Sequence, residues 1–222
     1  MITLALEFSS SVRSVALLLD DIQADLPVLR GSASDDGARS VTPLKLIERA
    51  LAAAALGQEA IERIVVGLGP GSYTGIRSAI AVAQGWQLAR QVQLIGLSSA
   101  ECLAAQARAN AWFGEVCVAI DAQRNEFYVG RYEILAPHWR EIEPLRLASL
   151  DELDTLAQLS SVMIVGPEIN RWIPQGKELL PSAAALGRLA HGRTVDVPGE
   201  KLEPIYLRQT QFVKAPPPRN WL

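Results

Sequence analysis

Histidine and cysteine are scarce in this chain of 222 residues: two of each, His138, His191, Cys102 and Cys117. Metal binding by clustered imidazoles or thiolates has little material to draw on. A disulfide framework is excluded as well, because small stapled folds are dense in cysteine. Cys102 and Cys117 sit in the apolar strings ECLAA and VCVAI, the setting of a buried inert thiol. A surplus of base is also missing. With 24 acids against 21 bases and a net charge of -3, the chain lacks the excess cation needed to hold nucleic acid unaided. No apolar run reaches the ~18 residues of a membrane span, and the opening MITLALEF has no basic start of a signal peptide. A cytoplasmic location is therefore expected. What the chain has in quantity is apolar side chain: 49% of residues are hydrophobic and only 20% charged. That composition excludes a disordered polyelectrolyte, and the length suits one large domain or two small lobes with cores of their own.

The opening reads as a strand pair, residues 2–8 and 14–19 around a polar turn, followed by a weaker extended segment at 26–34 and the loop SDDGARS. The period then changes. Thr42 before Pro43 is a helix start, since the hydroxyl caps free amides and proline fills a first position that has no amide partner. Leu44, Ile47 and Leu51 recur at helical spacing until Gly57. A strand at 63–68, a helix from Tyr73 to Arg90, a strand at 94–97 and a helix capped by Ser98 and Glu101 complete the first half. The second half restarts with the same pattern. Residues 116–121 form an apolar run ending in Asp121, a polar turn follows, and 126–134 alternate as a second strand. A third strand at 142–147, a capping box at Ser149 and Glu152 with its helix, and a strand at 162–165 come next. Glu7 matches Asp121 in this internal repeat, which predicts two lobes of like topology, 1–110 and 111–222, the second ending in an extended proline-rich tail. Helices alternating with strands predict mixed sheets of an α/β fold.

The most distinctive local feature is GLGPGSYTG, residues 67–75, between a strand and a helix. Glycines there permit positive φ and close backbone approach, and the helix N-terminus suggests a phosphate cradle. The two familiar cradles do not fit. A Walker A loop needs lysine after its last glycine, where Ile76 stands, and a Rossmann turn needs an acid about 20 residues on, whereas none occurs between Glu62 and Glu101. The other reading is that the glycines let the strand turn tightly into a helix lying close on the sheet. In that helix Ala81, Gly85 and Ala89 form a smooth ridge beside Ile76 and Ile80, and the preceding helix is alanine-rich beside Leu44, Ile47 and Leu51. Both carry more apolar surface than one sheet face needs, which suggests contact with another subunit; packing on their own sheet alone is the alternative.

The string Gly69, Pro70, Gly71, Ser72, Tyr73, Thr74, Gly75, Ile76, Arg77 resembles the signature of the TsaB (YeaZ) family. Ala83, Gln84 and Gly85, residues 95–98, the acid-bearing segment 120–122 with Glu126 and Tyr128, and EPIYLR at 203–208 follow in the family's order. The resemblance implies an actin-like (RNase H-like) ATPase fold of two lobes and membership in the bacterial machinery that makes threonylcarbamoyladenosine at tRNA position 37. It further implies that chemistry is done by the paralogue TsaD, that the chain binds TsaD through the first two helices of its N-terminal lobe, and that the ATPase TsaE joins the pair. Residues expected at that interface are Leu44, Ile47, Leu51 and Ala54 on the first helix and Ile76, Ile80, Ala81 and Gly85 on the second. Apolar helices without their partner often find each other, so the sequence leaves both a monomer and a homodimer open for the chain alone.

The residues themselves favour a non-catalytic role with no metal and no cofactor. A His-x-x-x-His pair suited to one metal ion is absent, as His138 and His191 are far apart in sequence and neither is acid-flanked. Where active members of the fold carry Asp-x-Gly at the first hairpin, this chain has Glu7, Phe8 and Ser9, and Asp121, Ala122 and Gln123 lack the second lobe's glycine. Glu7 and Asp121 are thus read as vestiges of a nucleotide site. The alternative is an ATPase or small-molecule kinase using both acids around magnesium. A peptidase has no nucleophile with a plausible base. Arg208, Lys214 and Arg219 beside Tyr206, Phe212 and Trp221 make the C-terminal stretch locally basic, open to tRNA contact within a complex or to packing back on a lobe.

Overall fold

The computed structural model describes residues 1–20, 26–37, 41–193 and 196–208. Its first lobe is a five-stranded sheet in the order β3-β2-β1-β4-β5, made of β1 (Ile2–Glu7), β2 (Arg13–Leu19), β3 (Val28–Asp35), β4 (Ile61–Gly67) and β5 (Gln93–Leu97). The second sheet contains β6 (Gly114–Asp121), β7 (Glu126–Ile134), β8 (Trp139–Ser149), β9 (Val162–Gly166) and β10 (Lys177–Glu178). Read from its far edge, its order is β8-β7-β6-β9-β10. The two lobes therefore repeat one topology. In each, the first strand pairs antiparallel with the second and parallel with the fourth. This is the actin-like, RNase H-like arrangement, and Glu7 and Asp121 end the equivalent strands β1 and β6.

Helices α1 (Pro43–Ala54) and α2 (Tyr73–Ala89) cover one face of the first sheet. Thr42 caps α1 by accepting from the Lys45 amide, with proline at the helix start. The helix closes at Ala55, which takes a left-handed φ of 52°, so Gly57, the expected terminus, lies beyond it. Helices α3 (Ser99–Ala109) and α4 (Leu150–Ala157) start at Ser98 and Ser149, whose hydroxyls accept amides of the first turn as the two capping boxes predict.

The chain departs from the expected domain limits after Ser182. Helix α5 (Ala183–Leu189) does not stay with the second sheet; Ala183, Leu186 and Ala190 pack on Ala5, Ala16, Leu18 and Val65 of the first. In return Ala100, Leu103, Ala104 and Ala107 of α3 pack on Val116, Val118 and Tyr132 of the second sheet. The lobes exchange their last helices. Residues 196–205 then run along the first lobe, where the Val197 amide donates to Leu94 and the Ile205 amide to Leu68, and Leu202 joins the core. The division at 110/111 separates the two sheets but not the packing units, because the apolar surface that α5 covers lies on the first sheet, across the junction.

A buried ion network fixes this exchange. Arg63, 4% exposed, donates to Asp20 and, at 3.0 Å, to Thr3 Oγ1. The other oxygen of Asp20 lies 2.6 Å from His191 Nδ1, just past α5. His191, which has no acid beside it in sequence, thus has one in space. Among the described residues no group of three or more histidines, cysteines or acids could hold a metal, and no helix is long and apolar enough to cross a membrane.

Candidate functional site

The two hairpin turns and the glycine-rich segment meet at a cleft between the lobes with a volume of about 600 Å³. Ser9, Ser10, Ser72 and Thr74 line it from the first lobe and Asp121, Tyr128 and Trp172 from the second. This is where the repeat places the residues compared with an actin-like nucleotide site.

The glycine-rich turn borders that cleft and packs on the first hairpin. The Ser72 amide donates to the Ser9 carbonyl at 2.7 Å. Ser72 caps α2 by accepting from the Gly75 amide at 3.3 Å. A Cβ on Gly71 would run into the Ser9 carbonyl oxygen, and one on Gly75 into that of Phe8. Gly71, at φ +144°, also holds a backbone conformation other residues rarely adopt. The Ser9 carbonyl thus takes the Ser72 amide, and the Phe8 carbonyl lies against the flank of α2 at Gly75, while Ser72, Tyr73 and Thr74 border the cleft. The signature serves close packing of α2 on the first hairpin, the second of the two readings its glycines allowed.

Glu7 and Asp121 are separated by this packing. Glu7 is 0% exposed, its carboxylate accepting from the Ser9 amide and from Ser99 Oγ, both at 2.8 Å. Gly67 makes room for it, since any Cβ there would strike a Glu7 oxygen. Asp121 is exposed at the cleft and accepts from the Gln123 amide at 2.7 Å. A magnesium ion shared by the two acids, the kinase-like alternative, does not fit an acid sealed beneath its own turn.

Burial raises the Glu7 carboxyl above the usual carboxylate range, against the pull of its hydrogen bonds from Ser9 and Ser99. A folded-state value above the unfolded one binds the proton more tightly in the native protein. Its contribution is complete below the unfolded pKa and is lost as pH rises through the folded one. Glu7→Gln keeps an acceptor for Ser9 and cannot ionise. Urea unfolding should therefore find the variant more stable than the parent by about 1 kcal/mol or more at pH 8, with that gain gone at pH 4. A difference independent of pH would contradict the assignment.

Arg77 Nη1 donates to the Tyr73 hydroxyl at 2.5 Å and the guanidinium Cζ lies 5.1 Å from that ring's centre, while Tyr206 packs on Tyr73 at 5.9 Å between ring centres. Arg77 therefore meets neither a carboxylate nor solvent alone. Arg208, at the end of the described C-terminal segment, donates to the carbonyls of Ala122 and Gln123 at 3.0 and 3.3 Å and to Glu126 at 2.5 Å. It clamps a turn in which Gln123, Arg124 and Asn125 all have positive φ. Sequence reasoning placed Arg208 in a basic tail and missed this role; only its place in EPIYLR marked it. Lys214, Arg219, Phe212 and Trp221, the rest of that expected patch, and part of the loop SDDGARS lie outside the described residues.

The expected partner residues divide sharply. Ile47, Leu51, Ala54, Ile76 and Ile80 are buried in the first lobe's own core, which corrects their assignment to an external surface. The helical period that singled them out is the face α1 and α2 turn to their sheet. Leu44 is 59% exposed and Leu88 90%, and Ala81 and Gly85 are exposed on the outer face of α2. Cys102 and Cys117 are buried and unpaired. Desolvation lifts the Cys102 thiol well above its ordinary range and pushes that of Cys117 up to about 12, so both are inert.

A protein-family profile described as "TsaD: tRNA N6-adenosine threonylcarbamoyltransferase" matches residues 38–205. The "tRNA threonylcarbamoyladenosine biosynthesis protein TsaB" of Escherichia coli is 33% identical over 71% of this chain and 75% of its own length. Its namesake from Haemophilus influenzae is 28% identical over 98% of both chains. The solved structure "YeaZ from Pseudomonas aeruginosa" superposes with a TM-score of 0.72 at 27% identity, covering 93% of this chain and 99% of that one.

Proposed function

The chain belongs to the TsaB (YeaZ) family of tRNA threonylcarbamoyladenosine biosynthesis proteins, and we propose that it acts there as a non-catalytic subunit that binds and activates TsaD. The observation that carries this reading is the burial of Glu7, 0% exposed and held by Ser9 and Ser99. Sealed beneath its own turn, Glu7 does not line the cleft at which Asp121 is exposed, so the two acids do not form a shared site. Match to a TsaD profile fits a paralogue that keeps the fold and has lost the hardware of catalysis.

In this proposal TsaD docks on the outer rows of α1 and α2, around Leu44, Ala81, Gly85 and Leu88. Small residues at 81 and 85 let a partner backbone come close, and the two exposed leucines supply apolar contact around them. TsaE joins the pair, tRNA is held through the complex, and the setting is cytoplasmic. Ala81→Glu puts a charge into the centre of that contact without touching the lobe's core. Size-exclusion chromatography with TsaD should show affinity lowered about tenfold to a hundredfold, with an unchanged melting curve for the variant alone. Undiminished association of charge variants at Leu44, Ala81 and Leu88 together would refute the docking face.

A further inference from the structure

We propose that the groove between the end of α3, the end of α5 and the β7–β8 turn is a binding site for a phosphate monoester carrying a flat organic body, of about mononucleotide size. The groove has a volume of about 380 Å³ and lies apart from the interlobe cleft and from the outer rows of α1 and α2. Its wall holds Arg108, Arg188, Trp139, Asn110 and Leu189 and, among the described residues, includes no carboxylate. In the larger cleft, by contrast, Arg171 is neutralised by Glu168 at 2.5 Å and Asp121 adds a further negative charge.

Among the described residues the two arginines have no carboxylate partner. Arg108 is half-buried; its Nη1 donates to the Pro137 carbonyl at 3.3 Å, and its Nε is buried with no acceptor among the described residues. Among the described residues neither Arg108 nor Arg188 forms an ion pair. Each stands in the last turn of its helix, where the helix dipole favours a cation. That explains their tolerance there and leaves both charges open to a ligand. Two guanidinium groups match the charge of a phosphate monoester, about -1.5 to -2 at neutral pH, better than a single carboxylate does. Trp139 supplies a flat apolar wall, held edge-on by Tyr132 at 5.6 Å between ring centres. Gln106 is already spent, accepting from the Ser182 amide and donating to Leu180 at 3.0 Å each, so it stiffens the floor of the groove.

Calorimetry of the full chain with uridine 5′-monophosphate, uridine and inorganic phosphate tests the site. The nucleotide should bind with a dissociation constant below about 1 mM and at least tenfold more tightly than either comparator. Arg188→Met, on an exposed position, should weaken it about fivefold or more, and the double variant with Arg108→Met should abolish measurable binding while its melting curve remains cooperative. Arg108→Lys, which keeps the charge and loses the planar fork, should fall between. In a ¹H–¹⁵N spectrum the Trp139 indole signal should shift on addition of the nucleotide. Each of the following overturns the proposal: no binding up to 5 mM (roughly five times the limit above), equal binding of uridine or of phosphate alone, unchanged binding by the double variant, or shifts confined to Asp121 and Gln123 in the cleft.

Discussion

Arg63→Met is expected to destabilise the protein by about 3–5 kcal/mol, the usual cost of stranding one member of a buried ion pair. Arg63 and Asp20 have side chains only 4% and 5% exposed, and the substitution also leaves Thr3 Oγ1 without its donor. His191 still reaches the other oxygen of Asp20, yet at 24% side-chain exposure it is a weaker and wetter partner. For a chain of this size, roughly 2–4 °C of melting temperature goes with each kcal/mol, so a fall of about 10 °C is expected in a thermal melt. The double variant Arg63→Met, Asp20→Leu should recover a large part of the loss, because an apolar pair of similar volume escapes the desolvation of two charges. A fall below about 2 °C for the single variant, or no recovery in the double, would show that packing rather than charge holds this corner together.

Gly75→Ala is the second large effect, and its direction runs against helix propensity. Alanine in a helix interior is ordinarily better than glycine by about 1 kcal/mol. Here its Cβ would collide with the Phe8 carbonyl, a backbone atom that cannot swing aside, so α2 must lift from the first hairpin. Overpacking of this kind costs about 1–3 kcal/mol net, or about 5 °C in a melt. Gly85 in the same helix is the internal control. Nothing lies within 4 Å of a Cβ built there, and Gly85→Ala should stabilise the isolated chain by about 0.5–1 kcal/mol. Equal effects at the two positions would mean that the tight docking of the signature segment does not decide its glycine content.

The contrast between these two glycines shows what was legible in the sequence. Strand and helix order, the caps at Thr42, Ser98 and Ser149 and the internal repeat depend on local patterning, and each stands in the structure where the residues place it. The glycine-rich string announced a close approach of backbones but not which backbone approaches. That depends on Phe8 and Ser9, more than 60 residues earlier. The partner surface was misread for a related reason. Helical periodicity reports which face is apolar, and Ile47, Leu51, Ile76 and Ile80 satisfy it by facing their own sheet. Leu44, Ala81 and Gly85, read from the sequence as partner residues, are exposed, whereas the exposure of Leu88 only becomes visible once that sheet is present. Helix α5 was missed altogether, since AAALGRL is short and its proper surface, Ala5, Ala16, Leu18 and Val65, belongs to strands at the opposite end of the chain. His191 and Asp20 meet across 171 positions, a separation at which spacing carries no signal.

The exchange of helices between lobes sets a timetable for synthesis. The first sheet is translated early, but its α5-facing side has no cover until residues 183–190 have been made. At about 5–20 residues per second, the roughly 75 residues between α3 and α5 take some 4–15 s to add. During that interval the nascent first lobe carries an open apolar face, which is the kind of surface that holdase chaperones bind and that neighbouring chains on a polysome can aggregate through. The lobe that is begun first is finished last, so the yield of folded protein should respond to codon choice and chaperone supply over the middle of the chain more than over its start.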